Sequence, residues 1–177
     1  AFVKDSHDVL DGKAEVTGNV VVIGGGMVGM ETAEYLAEKG AKVSVLEMLP
    51  DICSDMGTTR KICMGEEIQK SGIIPVTSVK VTEIGDNVVI GEKDGEKVEF
   101  PCDAAVLAIG AKKRDGSALA ETCYKNGIGY FEIGDAAMAR RAINATREAM
   151  DAALTFDRED VHRDVSKPKK LVFITGA

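Results

Sequence analysis

Three features that would indicate particular classes of protein are missing from this chain. No apolar run approaches the length of a membrane span and no signal peptide opens the sequence, so a cytoplasmic location is expected. The formal charge of −7 is acidic, whereas a nucleic-acid-binding protein needs a basic surface for the phosphates, so a nucleic-acid partner is not expected. The four cysteines form no C-x-x-C pair and no metal-ligand spacing with His7 or His162, so neither a metal site nor a redox-active cysteine is expected.

Length and composition are those of an ordinary folded domain. The chain has 177 residues, enough for one domain with a real core and short for two. Hydrophobic residues make up 45% and charged residues 29%, as is usual for a soluble globular protein.

The most informative pattern lies between Asn19 and Met48. The β-branched run Val20 to Ile23 is typical of a strand buried on both faces of a parallel sheet. Glycines then follow with G-x-G-x-x-G spacing: Gly24, Gly26 and Gly29, with Gly25 as an extra small residue. A helical period begins at Met27, and a second strand from Lys42 to Leu46 ends on Glu47.

Each part of this pattern suits a bound dinucleotide. The first glycine permits a tight turn, the second lets the backbone approach the pyrophosphate, and the third lets the helix pack close to the sheet. The helix N-terminus offers N–H groups to the phosphates. Glu47 can accept hydrogen bonds from the adenosine ribose and would repel a 2′-phosphate, which favours NAD(H) over NADP(H). The pattern does not separate NAD from FAD, and the alternative is a glycine-rich turn in another α/β domain.

The remaining elements predict an α/β fold: a Rossmann-like parallel sheet with helices on both faces and a small antiparallel β-meander insert covering one side. Asp94-Gly95 is a hairpin dipeptide between two strands. The other predicted elements are a short helix within the 1–18 connector, a helix at 58–70, strands at 73–81, 88–93, 96–100, 103–109 and 128–133, and a helix at 136–156. A charged linker and a terminal strand follow.

Gly134 and Asp135 stand where a predicted strand meets this last helix. Ligands bind at the carboxyl edge of open α/β sheets, so the Asp135 carboxylate is a candidate ligand contact. It is equally a candidate helix cap, and the residues alone do not choose between these interpretations.

Three segments together resemble the pyridine-nucleotide domain of FAD-dependent oxidoreductases: 21–49, 103–111 and 130–150. The closest subgroup is the multidomain NADH:flavin oxidoreductases of the 2,4-dienoyl-CoA reductase and enoate reductase type. The resemblance covers roughly Ser6 to Phe156. It implies four divisions, namely a connector (1–18), an NAD(H)-binding domain (19–133), a flavin-motif helix segment (134–156) and a charged linker with a terminal strand (157–177).

The resemblance also implies roles for individual residues. The glycines would hold the NADH pyrophosphate, Glu47 the adenosine ribose, and the strand end at 108–110 would run past the nicotinamide. Asp135 would contact FAD, with the helix that starts near Arg141 pointing at the flavin. The complete predicted cofactor-binding set is Gly24, Gly25, Gly26, Met27, Val28, Gly29, Glu47, Met48, Ala108, Ile109, Gly110 and Asp135, with no catalytic and no metal-ligating residue.

The chain also departs from this family. The sequence lacks the family's first FAD fingerprint, the FMN and iron–sulfur barrel module with its cluster cysteines, and the redox-active cysteine pair. Residues 112–115 stand where the family often has Pro and Asn, just after the strand-end glycine. The terminal KLVFITGA comes last, whereas in the family a strand ending in T-G-A typically precedes the segment that opens this chain. It either completes the FAD-side sheet or resembles the first strand of a short-chain dehydrogenase.

The expected function is that of an NAD(H)-binding domain of a flavin-dependent oxidoreductase, a fragment of a larger enzyme that positions nicotinamide C4 for hydride transfer to flavin N5. The expected partners are FAD-binding modules, FMN and iron–sulfur modules of a parent enzyme, and a small-molecule substrate, with no membrane. One alternative is an NADH-sensing or electron-transfer module without chemistry of its own. The other is a self-sufficient dehydrogenase, for which Tyr124, Tyr130 and Lys112 are the acid–base candidates.

Overall fold

The computed structural model describes residues 2–54, 56–113, 115–155 and 171–175. The chain divides into two compact units, Ala1–Gly110 (unit 1) and Ala111–Ala177 (unit 2). Unit 1 contains β1 (Val3–Asp5), α1 (Ser6–Leu10), β2 (Asn19–Ile23), α2 (Met27–Glu38), β3 (Lys42–Leu46), α3 (Thr58–Ser71), β4 (Ile74–Val76), β5 (Lys80–Gly85), β6 (Val88–Lys93), β7 (Glu96–Pro101) and β8 (Ala104–Leu107). Unit 2 contains α4 (Ser117–Lys125), β9 (Gly129–Ile133), a 3₁₀ turn (Gly134–Ala136), α5 (Ala142–Thr155) and β10 (Leu171–Thr175).

Unit 1 is built on a five-stranded parallel sheet in the order β1-β8-β2-β3-β4. The central strand β2 has Val22 opposite Val45 on one side and opposite Val106 on the other. All residues of β2 after Asn19 are buried, because the strand is covered on both faces. The chain continues from β2 into α2 and β3 on one side, while β8 joins on the other side after the intervening elements. The carboxyl end of β2 therefore lies where the strand order reverses, which is where ligands bind in open α/β sheets.

Helices cover one face of this sheet. Leu36 and Met30 of α2 are fully buried against Val22 and Val45 of the sheet, and Val9 of α1 and Ile68 of α3 belong to the same cluster. Burial of each such side chain contributes about 1.5–3 kcal/mol to folding.

The antiparallel meander β5-β6-β7 covers the other face. Val79 and Val89 pack there against Val21 and Ile23, the β2 residues that alternate with the helix-facing ones. The structure thus confirms the predicted Rossmann-like α/β class with a small antiparallel insert on one side of the sheet. Helices were expected on both faces of the sheet, but in unit 1 the insert occupies this second face. No helix lies between the described strands β7 and β8, because the chain passes directly from one to the other through Cys102.

Several elements differ from the sequence-based expectation. Val3–Asp5 of the expected connector forms an edge strand that pairs with β8, and Asp5 caps α1 through the His7 N–H at 2.9 Å. The single strand expected over 73–81 is two strands, because Ser78 adopts the left-handed conformation (φ 57°) and turns the chain from one sheet into the other. The helix expected from 136 begins at Ala142, after a 3₁₀ turn and a loop.

Unit 2 joins a short α/β motif to the terminal strand. Ala120 of α4 and Ala136 are buried, with Tyr130 of β9 packed against them. The terminal strand β10 runs parallel to β9, with Leu171 opposite Gly129 and Thr175 opposite Ile133. The charged linker expected over 158–170 lies outside the described residues. The functional divisions expected at 18/19 and 133/134 stay predictions. The division of the chain into two compact units falls between residues 110 and 111. Across the part of the chain that the structure describes, no helix has the length and apolarity to cross a membrane.

The carboxyl group of Glu34 on α2 is expected to make the free energy of unfolding of unit 1 depend on pH. Its Oε1 atom is buried and has no hydrogen-bond partner among the described residues. Burial raises the pKa of the Glu34 carboxyl, and the neighbouring carboxylates of Glu67, Glu31 and Glu38 raise it further. Because the folded state binds this proton more tightly than the unfolded state, the associated stability is present at low pH and is lost as the pH rises through the folded pKa.

We therefore expect Glu34→Gln to stabilise unit 1 at pH 7, by about 0.5 kcal/mol after allowance for solvent screening at a partly exposed site. The gain should shrink towards pH 4.5, the ordinary value for this carboxyl. Urea unfolding of both proteins at several pH values measures the difference. An equal difference at every pH would show that Glu34 is not the titrating group.

Candidate functional site

Two glycines of the loop after β2 are required by close backbone contacts. Gly24 adopts φ 109°, and a Cβ atom there would lie 2.4 Å from the carbonyl oxygen of Ala108. A Cβ atom at Gly29, in the first turn of α2, would lie 1.9 Å from the carbonyl oxygen of Gly24. These contacts bring the loop against the end of β8 and bring α2 against the loop, so both positions exclude a side chain.

Gly26 is different, because open space surrounds the position that its Cβ would occupy. Its backbone is extended (φ −74°, ψ −176°), which any residue adopts without strain. It is the N-cap of α2, and no side chain caps the helix there. The N-terminus of α2 therefore presents N–H groups and a positive dipole end beside an open space of the kind an anionic pyrophosphate needs.

The Glu47 carboxylate is held in place by two backbone donors. Oε2 accepts from the Gly25 N–H at 2.7 Å, and Oε1 accepts from the Leu49 N–H at 2.8 Å. Gly25 in turn accepts from the Cys53 N–H at 2.8 Å through its carbonyl oxygen. The glycine loop and the loop after β3 are thus fastened to one carboxylate, whose oxygens retain further lone pairs for ribose hydroxyl groups.

These features border a cleft of about 600 Å³ at the carboxyl edge of the parallel sheet. Most of the cofactor-binding residues predicted in unit 1 line it, and they are Gly24, Gly26, Met27, Val28, Glu47, Met48, Ala108, Ile109 and Gly110. The two exceptions are turned elsewhere: Gly25 faces Glu47 and Ile52, and Gly29 faces Gly24. The structure therefore brings three separate segments of the predicted set together in one cleft, and their role in binding a cofactor stays a prediction.

One wall of the cleft was missed by that reasoning. It is contributed by Val79, Lys80 and Val81 at the start of the meander, and by Leu49. The Val79 N–H donates to the Glu47 carbonyl oxygen at 2.9 Å, and the Ser78 N–H donates to that of Leu49 at 3.0 Å. These bonds bring the meander beside Glu47. The only sequence signal was that the meander follows the parallel strand β4 directly.

Asp135 belongs to unit 2, where it lines a separate cavity of about 510 Å³ with Gly134 and Arg140. Its Oδ1 atom accepts from the Arg140 N–H at 3.4 Å, and α5 begins only at Ala142, so Asp135 does not cap that helix. Glu148 of α5 accepts from the Gly134 N–H at 2.7 Å and forms an ion pair with Arg140. The turn that carries Asp135 is therefore fixed to α5.

The other candidate acid–base groups belong to unit 2. They are Tyr124, which is 63% exposed, Tyr130, which packs against Ala120 and Ala136, and Lys112. Among the described residues no cluster of three His, Cys, Asp or Glu side chains could hold a metal ion. The four cysteines are in the reduced thiol form, and burial raises the pKa of Cys102. The described lining of the cleft contains two charged side chains, Glu47 and Lys80.

Several known proteins are similar to this chain in sequence or in fold. The NADH oxidase of Thermoanaerobacter brockii is 41% identical over 155 residues, covering 86% of this chain and 24% of that protein. The bilirubin reductase of Mediterraneibacter gnavus (strain CC55_001C) is 44% identical over 110 residues, covering 62% of this chain and 17% of that protein. A solved 2-naphthoyl-CoA reductase complex superposes with a TM-score of 0.70 at 30% identity, covering 83% of this chain and 22% of that structure.

The chain thus spans a quarter or less of the length of these relatives. A family model described as pyridine nucleotide-disulphide oxidoreductase matches residues 2–149, which include the glycine loop, Glu47, the end of β8 and the Asp135 turn. Because this match covers most of the chain, the chain belongs to the pyridine nucleotide-disulphide oxidoreductase family.

Proposed function

We propose that unit 1 binds NAD(H) in the cleft beside Gly26 and Glu47, as the pyridine-nucleotide domain of a flavin-dependent oxidoreductase. Members of the family use FAD and NAD(P)H. The observation that carries the proposal is the juxtaposition of an uncapped helix N-terminus, open space at Gly26 and a fixed carboxylate in one cleft. The helix N-terminus suits the phosphates, and the open space at Gly26 allows the ligand to approach the backbone closely. The fixed carboxylate suits the ribose hydroxyls.

The chain's own contribution to the reaction is positioning. The N-terminus of α2 would hold the pyrophosphate, Glu47 would fix the adenosine ribose, and Ala108 to Gly110 would flank the nicotinamide half. Bound NADH supplies a hydride that a flavin accepts. No acid–base group from this unit is needed for such a transfer.

The relatives support a more specific proposal. One is named an NADH oxidase and another a 2-naphthoyl-CoA reductase, as expected if the chain is related to the NADH:flavin oxidoreductases of the dienoyl-CoA and enoate reductase type. We propose that FAD-binding modules, and FMN and iron–sulfur modules in that subgroup, are the partners of this domain in a parent enzyme with a small-molecule substrate. In that enzyme Asp135 and Gly134 would contribute to the FAD site.

Equilibrium dialysis of the purified chain against NADH and against FAD tests the cofactor assignment. We expect saturable retention of NADH, and little retention of FAD because the sequence contains no second G-x-G-x-x-G fingerprint of the kind that the family uses for FAD. Stoichiometric flavin in the absorption spectrum of the purified chain, or retention of FAD without NADH, would reassign the cleft to the flavin.

A further inference from the structure

We infer that Lys80 determines how the cleft treats the 2′-position of the adenosine ribose, by attracting a 2′-phosphate that Glu47 repels. This inference rests on the proposed function, because it concerns the nucleotide that the same cleft would bind. It assigns a role in nucleotide selection to the antiparallel insert, which sequence reasoning treated only as a cover for the sheet.

The position of Lys80 follows from backbone contacts on both sides of it. Val79, the preceding residue, is tied to the Glu47 carbonyl oxygen at 2.9 Å, so the start of β5 lies beside the residue proposed to hold the ribose. Val79 and Val81 belong to the apolar core beneath the meander. Because side chains alternate along a strand, Lys80 is turned away from that core, and it is exposed and lines the cleft.

Lys80 is also available for an anionic ligand. The strand register places Glu92 opposite it, but none of the ion pairs within 4 Å among the described residues includes Lys80. It is the one positively charged side chain in the described lining of the cleft. An unpaired ammonium group beside a phosphate-binding site forms charge-assisted hydrogen bonds to phosphate oxygens.

Glu47 and Lys80 therefore act in opposite directions on a 2′-phosphate. The carboxylate is fixed by the Gly25 and Leu49 N–H groups and does not rotate away from the ribose without losing both bonds. NADH carries only hydroxyl groups at this position, so its binding depends on Glu47 and little on Lys80. NADPH binding should depend on Lys80, most visibly once the repulsion by Glu47 has been removed.

A double-mutant cycle tests the inference by measuring the dissociation constants of NADH and NADPH. We expect Glu47→Gln to tighten NADPH binding by about tenfold, and Lys80→Met added to it to remove that gain, as for a solvent-exposed charge pair of moderate strength. NADH affinity should change less than about threefold on Lys80→Met, and the NADPH effect should decline with added salt. Lys70→Met is the matched control, since it removes another exposed lysine of unit 1 outside the cleft and shifts the formal charge equally, from −7 to −8.

The outcomes separate this inference from the function on which it rests. Loss of NADPH affinity no greater than in Lys70→Met, or equal losses for NADH and NADPH, would overturn the role of Lys80 while leaving the NADH site standing. Failure of the unmodified chain to bind either nucleotide would overturn the proposed function and the inference together.

Discussion

Gly26→Val is expected to abolish NADH binding while leaving unit 1 folded. The backbone at Gly26 is extended and open space surrounds its Cβ position, so valine adds neither strain nor a clash with the protein. The side chain would instead fill the space beside the N-terminus of α2 where the pyrophosphate is expected to lie. We expect the dissociation constant to rise at least about a hundredfold, with the unfolding midpoint nearly unchanged.

Gly65→Val is the control for this experiment. Gly65 lies on the exposed side of α3, open space surrounds its Cβ position, and it does not line the cleft. Nucleotide titration and thermal unfolding of both variants should show normal binding for Gly65→Val and loss of binding only for Gly26→Val. Unchanged NADH affinity in a folded Gly26→Val protein would remove the glycine loop from the site.

Gly29→Ala has the opposite expected profile, a large loss of stability. The added methyl group would lie 1.9 Å from the Gly24 carbonyl oxygen, which is backbone and cannot move without shifting the loop or α2. We expect the free energy of unfolding to fall by about 3 kcal/mol or more, as for severe overpacking in a rigid site. Urea denaturation followed by circular dichroism measures this loss.

Gly65→Ala provides the comparison, because it makes the same chemical change within another helix. With open space at its Cβ position, the substitution should stabilise the protein by about 0.5–1 kcal/mol through helix propensity. If Gly29→Ala proved as stable as Gly65→Ala, then the close packing of α2 on the glycine loop would not be a requirement of the fold.

The sequence predicts those parts of the fold whose causes are local. The run from β2 through the glycines to β3 combines a buried strand, a helical period and a terminal acid, and the structure reproduces its order and bounds. The meander was recognisable because Asp94-Gly95 forms a hairpin turn, with both residues at positive φ. In each case neighbouring residues carry all the information that the element needs.

Elements that depend on distant partners were missed. Val3–Asp5 has only three residues and becomes a strand because the open edge of β8 accepts it. Lys80 enters the cleft because Val79 bonds to the Glu47 carbonyl oxygen, a contact with no signal in the local sequence. Ser78 interrupts a β-branched run by adopting positive φ (57°), a conformation that is uncommon for serine, where the chain passes from the parallel sheet into the meander.

Calorimetric titration of the purified chain with NADH and with NADPH in parallel is the decisive test of whether the cleft beside Gly26 and Glu47 binds NAD(H). We expect saturable binding of NADH and weaker binding of NADPH, because the fixed Glu47 carboxylate would accept hydrogen bonds from the ribose hydroxyls and repel a 2′-phosphate. Binding of neither nucleotide, or tighter binding of NADPH, would contradict it.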